Sequence, residues 1–362
     1  MTEPKVPART RLARLLRFLR GHRRAVIAAQ DRPDPDGMAS AAALKRLFRE
    51  KAQLDVVIAA SGEIGRAENR ATLQYLGESL DDLASLDLAS FDLRALVDTQ
   101  PGFGNSSWPP EVPVHLILDH HPRARGVQPD QLADIRPDYG ATSTMLTEYL
   151  RAAHIEPDLQ LATALLYGIK TDTQNLTRGA SPADNAAFFY LYPLANHRLL
   201  GQIERGRLPR SHFATLARAL QACRLYDYAA LCSLGEIPTP EILGELADFF
   251  LRIEGVRWVL CQGTSRRILH LSVRTTVRQG NAGTLAASLL AGLGDGGGHE
   301  MMAGGQAPLT DRAPEAVEAT AREIELRFLR LLEIPKRTPE PLIAEPAPST
   351  KPSPKQKAPD DN

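Results

Sequence analysis

Aspartate and histidine residues follow several apolar segments in the first half of this 362-residue chain. They form four groups: Gln30-Asp31-Arg32-Pro33-Asp34-Pro35-Asp36-Gly37, then Asp98 in LVDTQ, Asp119-His120-His121, and Asp172 in GIKTDTQ. Carboxylates that converge in a partly buried site repel one another, so cations must compensate them. Carboxylates with one or two imidazoles suit Mn²⁺ or Mg²⁺, and a pair of such ions activates water for attack on phosphorus. The groups therefore predict hydrolysis of a phosphate ester or anhydride.

Each group also has a simpler interpretation when it is taken alone. A single aspartate after a strand is most often a helix cap or turn residue, and DPDG is an ordinary turn. Four groups in series, each at the end of a predicted element, favour a shared site over this alternative.

The elements around these groups alternate between short apolar runs and helical patterns. Strands are predicted over residues 25–29, 54–60, 93–97 and 114–118, and helices over 40–50, 66–76, 141–153 and 159–167. Such alternation is typical of an α/β fold with a mainly parallel sheet flanked by helices. Ligands of open parallel sheets bind outside the carboxyl ends of the strands. We therefore expect three of the four groups to meet at that edge of the sheet.

The second half of the chain predicts a smaller α/β domain over residues 226–334, preceded by a basic helical connector over 196–225. The segment Gly296-Gly297-Gly298-His299 is a glycine-rich loop near Arg274. Glycines let backbone N–H groups approach a phosphate, and arginine supplies a bidentate fork. A flexible turn that closes the preceding helix is the alternative. Residues 1–195 form the predicted catalytic domain, and the polar, proline-rich residues 335–362 predict a disordered tail.

Composition restricts the partners. The formal net charge is zero and aromatic content is 6%, which disfavours long duplex nucleic acid and favours a short oligonucleotide or small phosphate compound. The three cysteines form no CxxC pair, so a reducing, cytoplasmic compartment is expected. No membrane partner is expected, because no apolar run approaches about 20 residues. The basic N-terminal segment is either a targeting helix or an amphipathic helix, and its leucine spacing favours packing on the sheet.

The segments RPDPDGMAS, LVDT, LDHHP, GIKTDT, LSVRT and GGGHEMMAGG, in this order, resemble the motifs of the DHH phosphoesterase family in its branch with a DHHA1 domain. The resemblance implies a site with two Mn²⁺ ions, or Mg²⁺ in their place, and a homodimer. By position, Asp34 would bind one ion, Asp36 and His120 the other, and Asp98 and Asp172 both. His121 would contact the substrate phosphate, which makes Asp98, His120, His121 and Asp172 the candidate catalytic residues. Asp119 would orient a histidine ring, and Arg274, Gly297, Gly298 and His299 would hold the substrate across a cleft between the domains.

One position departs from the family pattern. The first motif of the family usually begins with a histidine ligand, whereas this chain has Gln30, whose amide oxygen is a weaker ligand. The leading hypothesis is an enzyme that acts on short oligoribonucleotides or small nucleotides, such as 3′-phosphoadenosine 5′-phosphate and dinucleotides. The second is a non-catalytic nucleotide sensor with a degenerate metal site. A long-DNA exonuclease is disfavoured by the zero net charge, and a pyrophosphatase by the glycine-rich segment.

Overall fold

The computed structural model describes residues 6–277, 279–298, 300–309, 313–334 and 338–343. The chain divides into two compact units, Met1–Leu208 and Pro209–Asn362. Each unit contains one sheet with its own hydrophobic core.

The first unit contains a six-stranded sheet in the order β3-β2-β1-β4-β5-β6, and every pair of neighbours is parallel. The strands are β1 (Arg24–Ala28), β2 (Asp55–Ala60), β3 (Asp81–Asp82), β4 (Leu93–Val97), β5 (Leu116–Asp119) and β6 (Leu132–Ile135). The helices are α1 (Ala8–Phe18), α2 (Pro35–Ala52), α3 (Ala67–Leu76), α4 (Thr142–Ala152), α5 (Leu159–Asp172), α6 (Pro182–Leu191) and α7 (His197–Glu204). The predicted parallel α/β fold is confirmed.

Alternation along the strands divides the apolar side chains between the two faces of this sheet. In β1, Ala25 and Ile27 face the large core that includes helices α2, α4 and α5. Val26 and Ala28 face a smaller cluster, in which loop residues such as Trp108 cover the sheet. Both faces are therefore buried, which accounts for the continuous apolar runs of the central strands.

The N-terminal helix α1 packs through leucines and exposes most of its arginines, while Arg11 pairs with Asp134. Leu12 and Leu15 are buried and belong to the large core, whereas Arg14 and Arg17 are exposed. The apolar face of α1 is therefore used for packing within the first unit. Among the described residues, none of the helices combines the length and apolarity needed to cross a bilayer.

The second unit contains a seven-stranded sheet in the order β11-β12-β10-β9-β8-β7-β13, antiparallel except for the parallel pair β8–β9. The strands are β7 (Arg224–Tyr226), β8 (Ala229–Glu236), β9 (Trp258–Ser265), β10 (Ile268–Thr275), β11 (Asp295–Gly298), β12 (Met302–Pro308) and β13 (Glu340–Pro341). Helices α8 (Arg210–Ala222) and α9 (Glu241–Phe250) pack on one face, and α10 (Ala282–Leu290) and α11 (Pro314–Leu331) on the other. The three cysteines are free, and all are buried beneath α8 and α9.

The segment predicted as a connector, residues 196–225, is divided between the two units. Helix α7 buries Leu200 and Ile203 in the core of the first unit, whereas α8 buries Ala219 in the core of the second. Each helix therefore belongs to the core that its apolar side chains enter. Most of the predicted tail lies outside the described residues; within it, Glu340–Pro341 pairs with Arg224 and Leu225 of β7.

The glycine-rich segment predicted as a loop is instead the edge strand β11 from Asp295 to Gly298, paired antiparallel with β12. One of its glycines, Gly296, is needed for packing. A Cβ built on Gly296 would lie 2.6 Å from the carbonyl oxygen of Ala286, so only glycine lets α10 approach the strand this closely. Gly297, by contrast, has open space where a Cβ would lie.

This difference gives a test within one strand. Gly296→Ala should lower the free energy of unfolding by about 1–3 kcal/mol, because the new methyl group overlaps helix backbone that cannot move freely. The matched variant Gly297→Ala should change it by less than about 0.5 kcal/mol. Chemical denaturation of both variants measures the two values, and equal values would contradict the packing described for β11.

Candidate metal centre

The strand order of the first sheet brings the predicted groups to one edge. β1 and β4 are neighbours, and the chain continues from β1 to β2 on one side and from β4 to β5 on the other. This change of direction opens a crevice at the carboxyl ends of the strands. The segments after β1, β4 and β5 carry Asp36, Asp98 and His120, and Asp172 reaches the same place from the last residue of α5.

Asp36 lies in the first turn of α2 and is fully buried. Its two carboxylate oxygens accept hydrogen bonds from the backbone N–H groups of Thr142 (2.7 Å) and Ser143 (2.8 Å) at the start of α4. The N-terminus of a helix has unpaired N–H groups and stabilises an anion there. Burial nevertheless raises the pKa of Asp36, and the nearby charge of Asp34 adds to this rise.

Asp98 directly follows β4 in a left-handed conformation, with φ of 58°. Its carboxylate is buried and accepts hydrogen bonds from the Thr142 hydroxyl (2.8 Å) and from Nε2 of Gln30 (2.9 Å). Burial raises the pKa of Asp98 well above its usual value, and the charges of Asp36 and Asp34 raise it further. Left-handed backbone at a non-glycine residue costs energy and is typical of functional sites.

His120 contacts two of these carboxylates. Its Nε2 lies 3.4 Å from Oδ2 of Asp172 and 3.5 Å from Oδ1 of Asp98, while Nδ1 lies 3.2 Å from the carbonyl oxygen of Tyr139. Burial lowers the pKa of His120, but the hydrogen bond and charge of Asp172 and the charge of Asp98 outweigh it and hold the pKa well above the usual value. Burial and the charges of Asp34 and Asp36 raise the pKa of Asp172 to about 7.

His121 is held by the buried carboxylate of Asp119. Oδ1 of Asp119 accepts hydrogen bonds from Nδ1 (2.8 Å) and from the backbone N–H (3.2 Å) of His121. The amide of Gln100 donates to the other oxygen at 2.6 Å. Burial would raise the pKa of Asp119, but these donors and the charge of the His121 ring lower it.

The ligand atoms of the predicted residues form two overlapping groups. Those of Asp36, His120 and Asp172 lie within 4.8 Å of one another, and so do those of Asp98, Asp119, His120 and His121. Asp34 belongs to neither group and accepts a hydrogen bond from the Gly37 N–H as the cap of α2. Gln30 is turned so that its amide nitrogen faces Asp98, and its buried oxygen has no hydrogen-bond partner within the described part of the chain.

The residues predicted to hold the substrate lie in the second unit. Arg274 in β10 is buried, and its guanidinium donates to Asp248 (2.7 Å) and to the Ser272 hydroxyl (2.8 Å). Gly297 and Gly298 are exposed in the edge strand β11. His299 lies outside the described residues.

Three residues that sequence reasoning missed support the carboxylates of the first unit. Thr142 and Ser143 bind Asp36 and Asp98 at the start of α4, and the hydroxyl residues of the segment GATST are the sequence signal for such a helix start. Gly168 lies one turn before Asp172, and a Cβ there would lie 2.5 Å from the Ser143 hydroxyl and 3.0 Å from Cα of Asp36. The sequence signal for Gly168 is its spacing: it lies four residues before Asp172, on the same face of α5.

The donor set fits divalent cations that prefer oxygen ligands. The carboxylates of Asp36 and Asp172 lie close to one another and to the buried imidazole of His120, which Asp98 also contacts. Carboxylates with an imidazole are the ligands that suit Mn²⁺ or Mg²⁺. The raised pKa values of Asp36, Asp98 and Asp172 have burial and mutual repulsion as their causes, which a bound cation would relieve. Tyr139 accepts from Nδ1 of His120 in the way that a backbone carbonyl commonly fixes a metal-binding ring.

A parallel sheet with such a centre at its carboxyl edge, followed by a mixed sheet, has the architecture of a DHH phosphoesterase fold. The model of the DHH family N-terminal domain matches residues 24–169, and that of the DHHA1 domain matches residues 226–326. The chain belongs to the DHH family and carries both domains, as its motifs predict.

Comparison with known proteins agrees with this assignment. The chain is 35% identical over 279 residues to an uncharacterized protein of Methanocaldococcus jannaschii, covering 76% of this chain and 56% of that relative. This chain thus spans about half of that relative's length. An exopolyphosphatase-related protein from Bacteroides fragilis has a similar structure, with a TM-score of 0.70, 16% identity, and coverage of 91% of this chain and 99% of that one. The structure of an exonuclease RecJ bound to manganese is also similar, with a TM-score of 0.51 and 18% identity. The match covers 94% of this chain and 97% of that one. At these identities the two structures show a shared fold.

The charge of the centre predicts how stability depends on pH. In chelator, the folded protein holds the Asp172 proton up to about pH 7, whereas the unfolded chain releases it near 3.8. The folded state binds more protons between these values, so the free energy of unfolding should fall as pH rises through this window. Asp36 and Asp98 shift in the same direction, while the lowered pKa of Asp119 acts below the window.

Thermal unfolding in chelator from about pH 4 to pH 7 measures this dependence. Asp172→Asn should flatten the fall, and Mn²⁺ should raise the Tm of the wild-type protein more at about pH 7.5 than at about pH 5, because the ligands must lose their protons to bind it. Equal slopes for the wild-type protein and Asp172→Asn would contradict the electrostatic account of the centre.

Proposed function

We propose that this protein is a metal-dependent phosphoesterase that hydrolyses short oligoribonucleotides or small phosphorylated nucleotides. The observation that carries the proposal is the convergence of Asp36, Asp98, Asp172 and His120 at one edge of a parallel sheet. Beside them, a buried carboxylate orients the second histidine of the DHH motif. Structural likeness to a manganese-bound exonuclease supports Mn²⁺ as the cation.

We assign the candidate residues of the first unit two roles, binding the cations and contacting the substrate. Asp36, Asp98, Asp172 and His120 would hold the cations, which supply a binding point for a phosphate oxygen and lower the pKa of a bound water. His121 would contact the substrate phosphate. Since Asp119 fixes Nδ1 as a hydrogen-bond donor, Nε2 is the ring atom that would do so.

The substrate class follows from charge and from the second unit. With a net charge of zero, the protein has no general attraction for long polyanions, so a local site must hold an anionic substrate. Arg274, Gly297, Gly298 and His299 are the proposed contacts to the remainder of the substrate. Arg274 is already oriented by its ion pair with Asp248, which reduces the entropy lost when a guanidinium binds a phosphate.

A nucleotide sensor without catalytic activity is the second candidate, and the contacts of Gln30 and Asp34 favour it. Gln30 directs its amide nitrogen at Asp98, and Asp34 uses its carboxylate to cap α2. In that arrangement Gln30 turns its amide nitrogen rather than its oxygen toward Asp98, and one oxygen of Asp34 is already hydrogen-bonded, so the side of the centre next to α2 would bind a cation more weakly. A protein with one strong metal site would bind nucleotides while turning them over slowly or not at all.

A substrate panel separates the two candidates. Short RNA, a nucleoside 3′,5′-bisphosphate and a linear dinucleotide are each incubated with Mn²⁺, with Mg²⁺ and with chelator, and products are separated by chromatography. Asp98→Ala should reduce hydrolysis at least about 100-fold, because it removes a buried carboxylate that contacts His120 and would hold a cation. Asp92→Ala changes an exposed aspartate just before the same strand and should keep full activity.

The outcomes differ clearly. If none of these substrates is hydrolysed with either cation, the proposed enzymatic activity is refuted. Tight nucleotide binding in chelator, with no turnover when metal is added, would support the sensor instead. Full activity in Asp98→Ala would place the reaction elsewhere in the molecule.

A further inference from the structure

One short segment, residues 139–144, contacts three of the candidate metal ligands. The carbonyl oxygen of Tyr139 lies 3.2 Å from Nδ1 of His120. The backbone N–H of Thr142 donates to Asp36 at 2.7 Å, and its hydroxyl donates to Asp98 at 2.8 Å. The position of this segment therefore sets the position of three side chains that come from different parts of the sheet edge.

Asp184 holds this segment from the side of α6. Its carboxylate is fully buried and accepts hydrogen bonds from the Gly140 N–H at 2.8 Å and from the Thr144 hydroxyl at 2.5 Å. It also accepts from the backbone N–H (2.7 Å) and hydroxyl (2.6 Å) of Ser181, with which it forms the capping box of α6. Asp184 is in neither group of candidate metal ligands, so its effect on them passes through the segment.

The space beside Gly140 is also closely packed. A Cβ built on Gly140 would lie 2.5 Å from the Thr173 methyl group and 3.1 Å from Oδ2 of Asp184. Thr173 directly follows Asp172, so both the end of α5 and the Asp184 carboxylate lie close to the segment at Gly140. Only glycine fits there, and the segment has little room to move on this side.

We propose that Asp184 is a positioning residue of the metal centre: by binding Gly140 and Thr144, it fixes the segment that orients Asp36, Asp98 and His120. This inference rests on the proposed function, because it assigns Asp184 a role at the same centre. Oδ2 of Asp184 accepts from Gly140 and from both donors of Ser181, and Oδ1 accepts from the Thr144 hydroxyl. Alanine removes all of these contacts, whereas asparagine can keep them, because its NH₂ group can donate to the Thr144 hydroxyl.

The test measures the Mn²⁺ dissociation constant by electron paramagnetic resonance, together with the Tm in chelator, on the full-length protein. Asp184→Ala should weaken Mn²⁺ binding about 10–100-fold, the usual effect of removing a residue that orients metal ligands. Ser181→Ala is the matched control, because it breaks the same capping box and leaves the contacts of Asp184 with Gly140 and Thr144. It should lower the Tm and leave the Mn²⁺ dissociation constant unchanged.

If Asp184 had a purely structural role, the two variants would either bind Mn²⁺ as tightly as the wild-type protein or both lose Mn²⁺ affinity in proportion to their loss of Tm. Either result would overturn the proposal. If Asp184→Ala does not fold, Thr144→Val carries the test by removing only the hydroxyl donor, and Mn²⁺ binding as tight as in the wild-type protein would then refute the inference. A wild-type protein that binds no Mn²⁺ would instead refute the proposed function, on which the inference depends. If the wild-type protein binds Mn²⁺ and Asp184→Ala binds it equally tightly, the positioning role alone is refuted.

Discussion

Repulsion among buried carboxylates is the constraint on which the first unit depends. Asp36 and Asp98 are shielded from water, and Asp172 lies beside them, so each raises the cost of ionising the others. A folded chain tolerates such a group only when hydrogen bonds, protons or cations compensate the charge. The fold supplies some of this compensation itself, and the rest defines what the centre must bind.

The compensation within the chain comes from His120, which lowers the pKa of all three carboxyl groups, and from backbone dipoles and neutral donors. The first N–H groups of α4 bind Asp36, and the Thr142 hydroxyl and the Gln30 amide bind Asp98. In the described part of the chain, the main influences on the pKa values of Asp36, Asp98 and Asp172 do not include the charge of a lysine or arginine. The left-handed backbone at Asp98 shows that local strain is accepted to direct its carboxylate into the group. Such a centre orients its carboxylates yet leaves their negative charge available to cations.

Much of the first unit could be predicted from sequence, because apolar runs mark buried parallel strands and topology places their carboxyl ends together. This reasoning places Asp36, Asp98 and His120 at that edge, where the structure has them, and their roles there stay predictions. Asp184 could not be, since its signature is an ordinary capping box and its contacts to Gly140 and Thr144 span about 40 residues of chain. The glycine-rich segment was misassigned as a loop because glycine suits both a turn and a strand under a close helix, and only the packing of α10 distinguishes them. The division of residues 196–225 between two cores has the same cause, since helical periodicity does not reveal which core a helix enters.

The measurement that tests the account most directly is anomalous diffraction from crystals grown with Mn²⁺. The account predicts an anomalous peak in contact with Asp36, His120 and Asp172, with Asp98 in reach of it, and a weaker peak or none on the side of Asp34 and Gln30. A centre without an anomalous peak at saturating Mn²⁺, with its carboxylates unmoved, would contradict the claim that bound cations neutralise this group.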